Sequence, residues 1–267
     1  MHSNVRAFHE ESFEVWRCSA CATIHARDDV DLAHYYAAYP FHDLPVDWRL
    51  RLLYDNQLAR LTRAGLQPGQ RVLDYGCGGG HFVDHLRERG YEAHGYDEYS
   101  ERFADRSVLE QRYDAIISQD VIEHVPSPKE LLARFDELVA PGGLVAIGTP
   151  NASAIDLARP EDFEHPLHQP YHRHILSKRA LIDAAAAQGF ALERYYGTQY
   201  TNTLFPCLNF RFYIYYAKLY DNSLDCLLEP TRAGKLLLRL PVALFWALFG
   251  YFLAPETDVM AVFRRSA

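Results

Sequence analysis

Asp120-Val121-Ile122-Glu123-His124 places two carboxylates and an imidazole within five residues. Such a group can act as a base at neutral pH, hold a divalent ion, or simply close a strand end. A second histidine source follows: His165, His168, His172 and His174 in HPLHQPYHRH. Surface loop residues, a metal site and a proline-rich lid over a ligand all fit that spacing. Gly76-Cys77-Gly78-Gly79-Gly80 is a run that lets a ligand lie against the backbone. Asp97 is a carboxylate placed to accept from two ribose hydroxyls. Cys18-Ser-Ala-Cys21 has the spacing of one half of a zinc site, with His2, His9 and His25 as the nearby further donors.

These residues need elements to hold them, and the hydrophobic pattern supplies the elements. Residues 71–75 (RVLDY) read as a short buried strand running straight into the glycine run. Residues 81–89 read as a helix with Phe82, Val83 and Leu86 on one face, stopped by Gly90. Residues 91–96 form a strand ending at Asp97, and residues 113–118 a strand ending at Gln119 and Asp120. Ser127-Pro128-Lys129-Glu130 is a capping box, and Pro141-Gly142-Gly143 stops the helix it starts. Strands at 144–148, 190–196 and 259–263, with a helix at 178–188 capped by Ser177, continue the alternation. Alternating strands and helices predict a doubly wound, mostly parallel sheet with its ligand at the carboxyl ends of the strands. A dinucleotide fingerprint would need glycine at position 81, where this chain has His81.

Taken in order, VLDYGCGGGHF, GYD, YDAIISQDVIEHV and LVAPGGLVAIGTPN resemble the successive motifs of class I S-adenosylmethionine-dependent methyltransferases. The nearest group is that of the ubiquinone-biosynthesis O-methyltransferases. The likeness covers about residues 65–200, with the last strand near 258–264. It implies an α/β, Rossmann-like, seven-stranded sheet, S-adenosylmethionine as cofactor and S-adenosylhomocysteine as product. It implies that Asp74 orients the loop and the amino end of the methionine, and that Gly76, Gly78 and Gly80 lie against the cofactor. Cys77 and His81 belong to the same loop, Asp97 binds the ribose, and Gln119 and Asp120 border the methionine. Between Tyr99 and Tyr113 there is little room for a third strand, which is expected to be short or absent. Asp105 is then the substitute for the usual adenine contact. His124 is the first candidate base, with His172 and His174 as alternatives. In some relatives an acid-x-x-Glu-His group holds a metal, which here would be Asp120, Glu123 and His124. Relatives often carry a zinc ribbon ahead of the catalytic domain, and Cys18 and Cys21 resemble a remnant of one, with two free thiols.

Composition bounds the rest. With 27 Lys plus Arg against 35 Asp plus Glu, the net charge of −8 repels phosphate backbones, so nucleic acid is not an expected partner. Five cysteines make no disulfide framework, and the first residues show no secretory signal, so the cytoplasm is the expected compartment. We divide the chain into an arm (1–26), a helical extension (27–66), a cofactor domain (67–199 with 257–267) and an aromatic-rich insertion (200–256). Aromatic residues are 13% of the chain, and the excess falls in the insertion and in YYAAYPF at 35–41. The insertion is expected to hold two or three helices and to roof a small, apolar or aromatic acceptor. Extra core, a homodimer interface and contact of residues 236–255 with a membrane surface are the other readings. The charge-free run 240–255 is too short to span a bilayer and reads as a buried or interfacial helix. The expected activity is methyl transfer, most simply to oxygen; transfer to carbon or nitrogen, and cofactor binding without catalysis, are the alternatives.

Overall fold

The computed structural model describes residues 1–28, 30–36, 46–220, 222–230 and 232–266. Most of YYAAYPF lies outside the described residues; Tyr35 and Tyr36 lie within them. The amino-terminal arm is a hairpin of β1 (Val15–Arg17) and β2 (Ile24–Ala26), followed by a short helix α1 (Leu32–Tyr36). Helix α2 (Trp48–Arg63) is started by Asp47, whose carboxylate accepts from the N–H groups of Arg49 and Leu50. Then come β3 (Arg71–Tyr75), α3 (His81–Arg87), β4 (Glu92–Tyr96), β5 (Tyr113–Gln119), α4 (Pro128–Leu138) and β6 (Val139–Pro150). A connection carrying α5 (Glu164–Leu167) and β7 (His174–Ile175) leads to α6 (Lys178–Ala186) and β8 (Phe190–Tyr196). Among the described residues, α7 (Phe210–Leu219), α8 (Asp225–Leu228), α9 (Ala233–Leu238) and α10 (Leu240–Phe249) separate β8 from β9 (Asp258–Arg265).

The main sheet has the order β4-β3-β5-β6-β9-β8, and β9 runs antiparallel to both of its neighbours. It therefore shows six strands where the resemblance implied seven. The segment after Asp97 returns through a single 3-10 turn (Arg106–Glu110) capped by Asp105, which leaves β4 at the edge. Strand β6 begins earlier than the apolar run suggests, because Val139 already pairs with Tyr113 across a register shift.

Side-chain alternation explains why the sheet is covered on both faces. Val72, Ala115, Ile117, Ala146 and Val262 pack under α2 and α3 with Leu58, Leu61, Phe82 and Leu86. Their neighbours Leu73, Ile116, Val145, Ile147 and Phe263 pack under α4 and α6 with Leu132, Phe135 and Leu181. Strands apolar on both faces belong to the middle of a two-sided sheet. Ser127 and Ser177 cap α4 and α6 as their sequences predict.

The arm is tied to this body rather than standing apart. Strand β2 pairs with β1 and with β7, matching Ile24 to Ile175 and His25 to His174. That pairing draws the histidine-rich connection inward. His168, Gln169, Tyr171 and His172 are buried, so the surface-loop reading does not hold for His168 and His172. Gln169 stitches the connection to itself by donating to the carbonyls of Leu167 and His172.

The insertion is organised around Asn209. Its side-chain oxygen accepts from the Phe212 N–H at 2.9 Å and caps α7. Its amide donates to the carbonyls of Trp246 (3.0 Å) and Ala247 (3.1 Å), near the end of α10. One side chain thus satisfies orphan groups at the start of one helix and the end of another. Gly250 is required beside it, since a Cβ there would lie 2.1 Å from the Asn209 oxygen. Asn209→Ala is expected to lower stability by about 2 kcal/mol, the sum of a lost cap and unsatisfied carbonyls. Denaturant unfolding measures the loss, and limited proteolysis should show faster cutting within 200–256. An unchanged midpoint and cutting pattern would refute this role for Asn209.

Candidate active site

The turn from β3 into α3 is shaped by absent side chains. Gly76, Gly78 and Gly80 all have positive φ (82°, 53° and 76°), which only glycine adopts without strain. A Cβ on Gly76 would lie 2.2 Å from Cγ2 of Val121, and one on Gly80 would lie 2.2 Å from the Phe103 ring. A Cβ on Gly78 would meet nothing within 4 Å, so this part of the loop borders open space. The His81 ring folds back over Gly79, and Cys77 packs against Gly95 on β4. Burial, then the charges of Asp74 and Asp97, push the Cys77 thiol far up, so it stays protonated.

Two carboxylates flank the loop. Asp97 accepts from the Gly78 N–H through one oxygen and from the Tyr99 N–H through the other, both at 2.8 Å. Asp74 is buried beneath the loop; that burial, and then the negative charge of Asp97, push its carboxyl up to about 7. Asp105 is exposed, and its carboxylate is taken by the N–H and hydroxyl of Ser107.

The end of β5 forms the opposite wall. Asp120 has φ +54°, an unusual conformation for a residue with a side chain. It accepts from the side-chain amides of Gln119 (3.0 Å) and Gln199 (2.7 Å). Open to solvent yet hemmed in by protein, its carboxyl is pushed up to about 6. Glu123 is fully buried: one oxygen accepts from the Thr149 hydroxyl at 3.0 Å, and the other has no hydrogen-bond partner among the described residues. Burial, then Asp120, hold the Glu123 carboxyl well above the carboxylate range.

His124 is half-buried, and desolvation pushes it down to about 4, so it is neutral at pH 7. Its Nδ1 lies 2.9 Å from the Tyr36 hydroxyl. Burial holds that phenol protonated, so the hydroxyl donates and Nδ1 accepts, while the other ring nitrogen faces the Tyr171 carbonyl. Tyr36 also stacks on Tyr99, next to Asp97, with ring centres 5.2 Å apart. Tyr36, at the end of α1, thereby joins the Asp97 side of the cleft to the His124 side. Tyr36 was not among the residues singled out from the sequence. Its only signal there was the aromatic doublet Tyr35-Tyr36 in an otherwise unexplained segment.

The other histidines divide. The His172 ring meets that of His124 edge-on with centres 4.8 Å apart, and its Nε2 lies 3.9 Å from Glu123. Its Nδ1 donates to the Pro166 carbonyl at 2.9 Å, which leaves Nε2 as the lone-pair nitrogen. His174 sits in the small sheet instead, 3.0 Å from His25 between Nδ1 atoms and 3.1 Å from the Pro126 carbonyl. Among the described residues, the group able to hold a metal is Glu123, His124 and His172, with ligand atoms within 4.8 Å of one another. His172 thus takes the place expected for Asp120, whose carboxylate is bound by two amides. Cys18 and Cys21 occupy the β1–β2 turn as free thiols and belong to no such group among the described residues; a zinc-ribbon remnant is not shown.

A six-stranded, two-sided sheet with an antiparallel strand beside β6, and a glycine loop facing an acid at the end of β4, define a Rossmann-like methyltransferase fold. A family model described as a methyltransferase domain matches residues 46–195, so the chain belongs to the methyltransferase domain family. It is 34% identical to a ubiquinone biosynthesis O-methyltransferase of Burkholderia pseudomallei, over 42% of this chain and 54% of that one. It is 33% identical to one of Leptothrix cholodnii, over 33% of this chain and 47% of that one. The chain thus spans about half the length of the curated relatives it matches. A methyltransferase structure from Galdieria sulphuraria superposes with a TM-score of 0.50 at 19% identity, over 88% of this chain and 97% of that one, a likeness of fold.

The loop geometry makes its own prediction. Gly76→Ala is expected to lower the melting temperature and to weaken S-adenosylhomocysteine binding by at least about tenfold, through both the positive φ and the overlap with Val121. Adding Val121→Ala removes the overlapping methyl and should recover part of the loss. Calorimetry on the two variants checks this, and no recovery in the double variant would rule out Val121 as the obstacle.

Proposed function

We propose that this enzyme methylates an oxygen of a small, apolar or aromatic molecule, with Tyr36 and His124 moving the acceptor proton. The observation that carries the reading is the 2.9 Å contact between the two, opening toward Tyr99 and Asp97. Asp97 would hold the ribose hydroxyls, Asp74 the methionine ammonium, and Gly76, Gly78 and Gly80 the cofactor's length. Gln119 and Asp120 would border the methionine. The aromatic surroundings (Tyr36, Tyr99, Tyr171, Tyr200, Tyr213) support a flat or apolar acceptor. The O-methyltransferases among the relatives support oxygen as the acceptor atom. All five cysteines are free, which supports a reducing compartment such as the cytoplasm.

The chemistry is an in-line displacement. When bound, S-adenosylmethionine would supply the methyl group to a lone pair of the acceptor oxygen, with the electron pair of the broken carbon–sulfur bond left on sulfur. The acceptor proton passes to the Tyr36 oxygen as the Tyr36 proton passes to Nδ1 of His124. Positive charge moves from sulfonium to imidazolium, so the site's net charge does not change. That offsets the desolvation that otherwise disfavours protonated His124. Alignment and exclusion of water supply the rest.

A divalent ion is the second reading, favoured by the buried and unpartnered oxygen of Glu123 facing Nε2 of His172. Two imidazoles and one carboxylate suit zinc or another first-row metal. When bound there, an ion would polarise the acceptor oxygen. Recruiting Nδ1 of His124 would displace the Tyr36 hydroxyl, so the two readings compete.

Three variants separate them. With a phenolic acceptor, Tyr36→Phe and His124→Ala should each lower kcat by about a hundredfold, within the usual range for general-base catalysis, and His174→Ala should matter less. Chelator should leave the rate unchanged. A chelator-sensitive rate with a fully active Tyr36→Phe would overturn the relay in favour of the metal.

Cofactor affinity has its own pH dependence. In the free protein Asp74 protonates below about pH 7, and an ammonium ligand favours the carboxylate. Binding of S-adenosylhomocysteine should therefore weaken as pH falls through 7, approaching about tenfold per unit, and Asp74→Asn should flatten that slope. Asp97→Ala should weaken binding strongly at every pH. Isothermal titration measures all three, and unchanged binding by Asp97→Ala would remove the ribose assignment.

A further inference from the structure

Helix α10 is built inside out. Its buried residues are Ala243 and Ala247, the small ones. The large side chains Leu244, Phe245, Leu248 and Phe249 are about half exposed, and flanking Leu238 (86%) and Phe252 (69%) are more so. An ordinary surface helix buries its large apolar residues and shows polar ones. A continuous exposed apolar face of this kind marks an interaction surface. Its charge is as unusual as its hydropathy. Residues 230–255 contain no Asp or Glu and three bases, Arg232, Lys235 and Arg239, in a chain whose net charge is −8. Arg232 pairs with Glu229; Lys235 and Arg239 are exposed and have no acidic partner among the described residues. Ten residues of α10 rise only about 15 Å, half the hydrocarbon thickness of a bilayer. No helix among the described residues is long and apolar enough to cross a membrane.

We propose that the α9–α10 face docks flat on a membrane surface bearing anionic headgroups. Leucine and phenylalanine side chains enter the acyl boundary, and Lys235 and Arg239 meet the headgroup charge. The commitment to anionic lipid rests on the charge: a strongly acidic protein carries an acid-free, basic margin beside a helix whose large apolar side chains face outward. Helix α7 lies between this face and the cleft, with Phe210 5.7 Å from His165 and α10 held by Asn209. Docking there would bring the cleft next to a source of apolar acceptors.

The test is co-sedimentation of the full chain with vesicles of phosphatidylcholine alone and of phosphatidylcholine with phosphatidylglycerol at three to one. Neither cofactor nor acceptor is present, so its outcome is separate from that of the transfer assays. Wild type should partition at least about tenfold more strongly onto the anionic vesicles at low salt, and the preference should fade as salt rises. Lys235→Glu with Arg239→Glu should abolish the preference. Leu238→Ser with Phe252→Ser should reduce partition onto both vesicle types by at least about tenfold. Both double variants should keep wild-type circular dichroism and S-adenosylhomocysteine affinity. No partition by wild type, a partition indifferent to lipid charge, or a stable dimer that Leu238→Ser with Phe252→Ser dissociates without altering vesicle binding would each overturn the proposal. The last would assign the face to a second copy.

Discussion

The whole site rests on how closely the turn after β3 approaches the turn after β5. Gly76 fits against Val121 only because it has no side chain, and that contact fixes the distance between the two loops that form the cleft. Parallel pairing of Val72 with Ala115, and of Asp74 with Ile117, sets the register that brings both turns to the same edge. From that register follow the positions of Asp97 on one side and of Asp120, Glu123 and His124 on the other. A residue larger than glycine at 76 would not merely strain one turn. It would separate the two groups whose proximity the chemistry needs.

The same edge concentrates desolvated charge. Asp74, Glu123 and Asp258 are all raised by burial, and His124, His168 and His172 are all lowered by it. The two shifts share a sense: each group is pushed toward its neutral form. Solvent-exposed ion pairs such as that between Arg51 and Glu88 contribute little to stability.

The arm and the insertion are both tied to the body that carries the cleft. Strand β2 borrows β7 as a partner, and that pairing positions α1 so that Tyr36 reaches His124. The insertion reaches α2 through the Asn56 amide, which donates to the carbonyls of Tyr200 at 2.7 Å and Asn202 at 3.3 Å. It reaches the arm through the Leu224 N–H, which donates to the Asn4 carbonyl at 2.9 Å. The two segments outside the cofactor motifs are therefore in contact, and each is anchored by backbone groups rather than by a large apolar core of its own.

What could be read from sequence here was whatever has a local cause. Capping residues, strand alternation and the glycine run are short-range features, and they placed α4, α6, the sheet and the glycine turn after β3. Even the missing strand was visible, as a segment between Tyr99 and Tyr113 too short to hold one. The partnership of Tyr36 with His124, the replacement of Asp120 by His172 beside Glu123, and the removal of His174 to a separate sheet were not visible. Each joins residues dozens of positions apart through strand pairing, and spacing along the chain holds no information about that distance. The insertion shows the limit from the other side. Its composition suggested an apolar roof over an acceptor, with core, interface and membrane contact as alternatives, but only the packed structure decided that Ala243 and Ala247 turn inward. Small residues let α10 lie close to α7, and the large ones are left facing out.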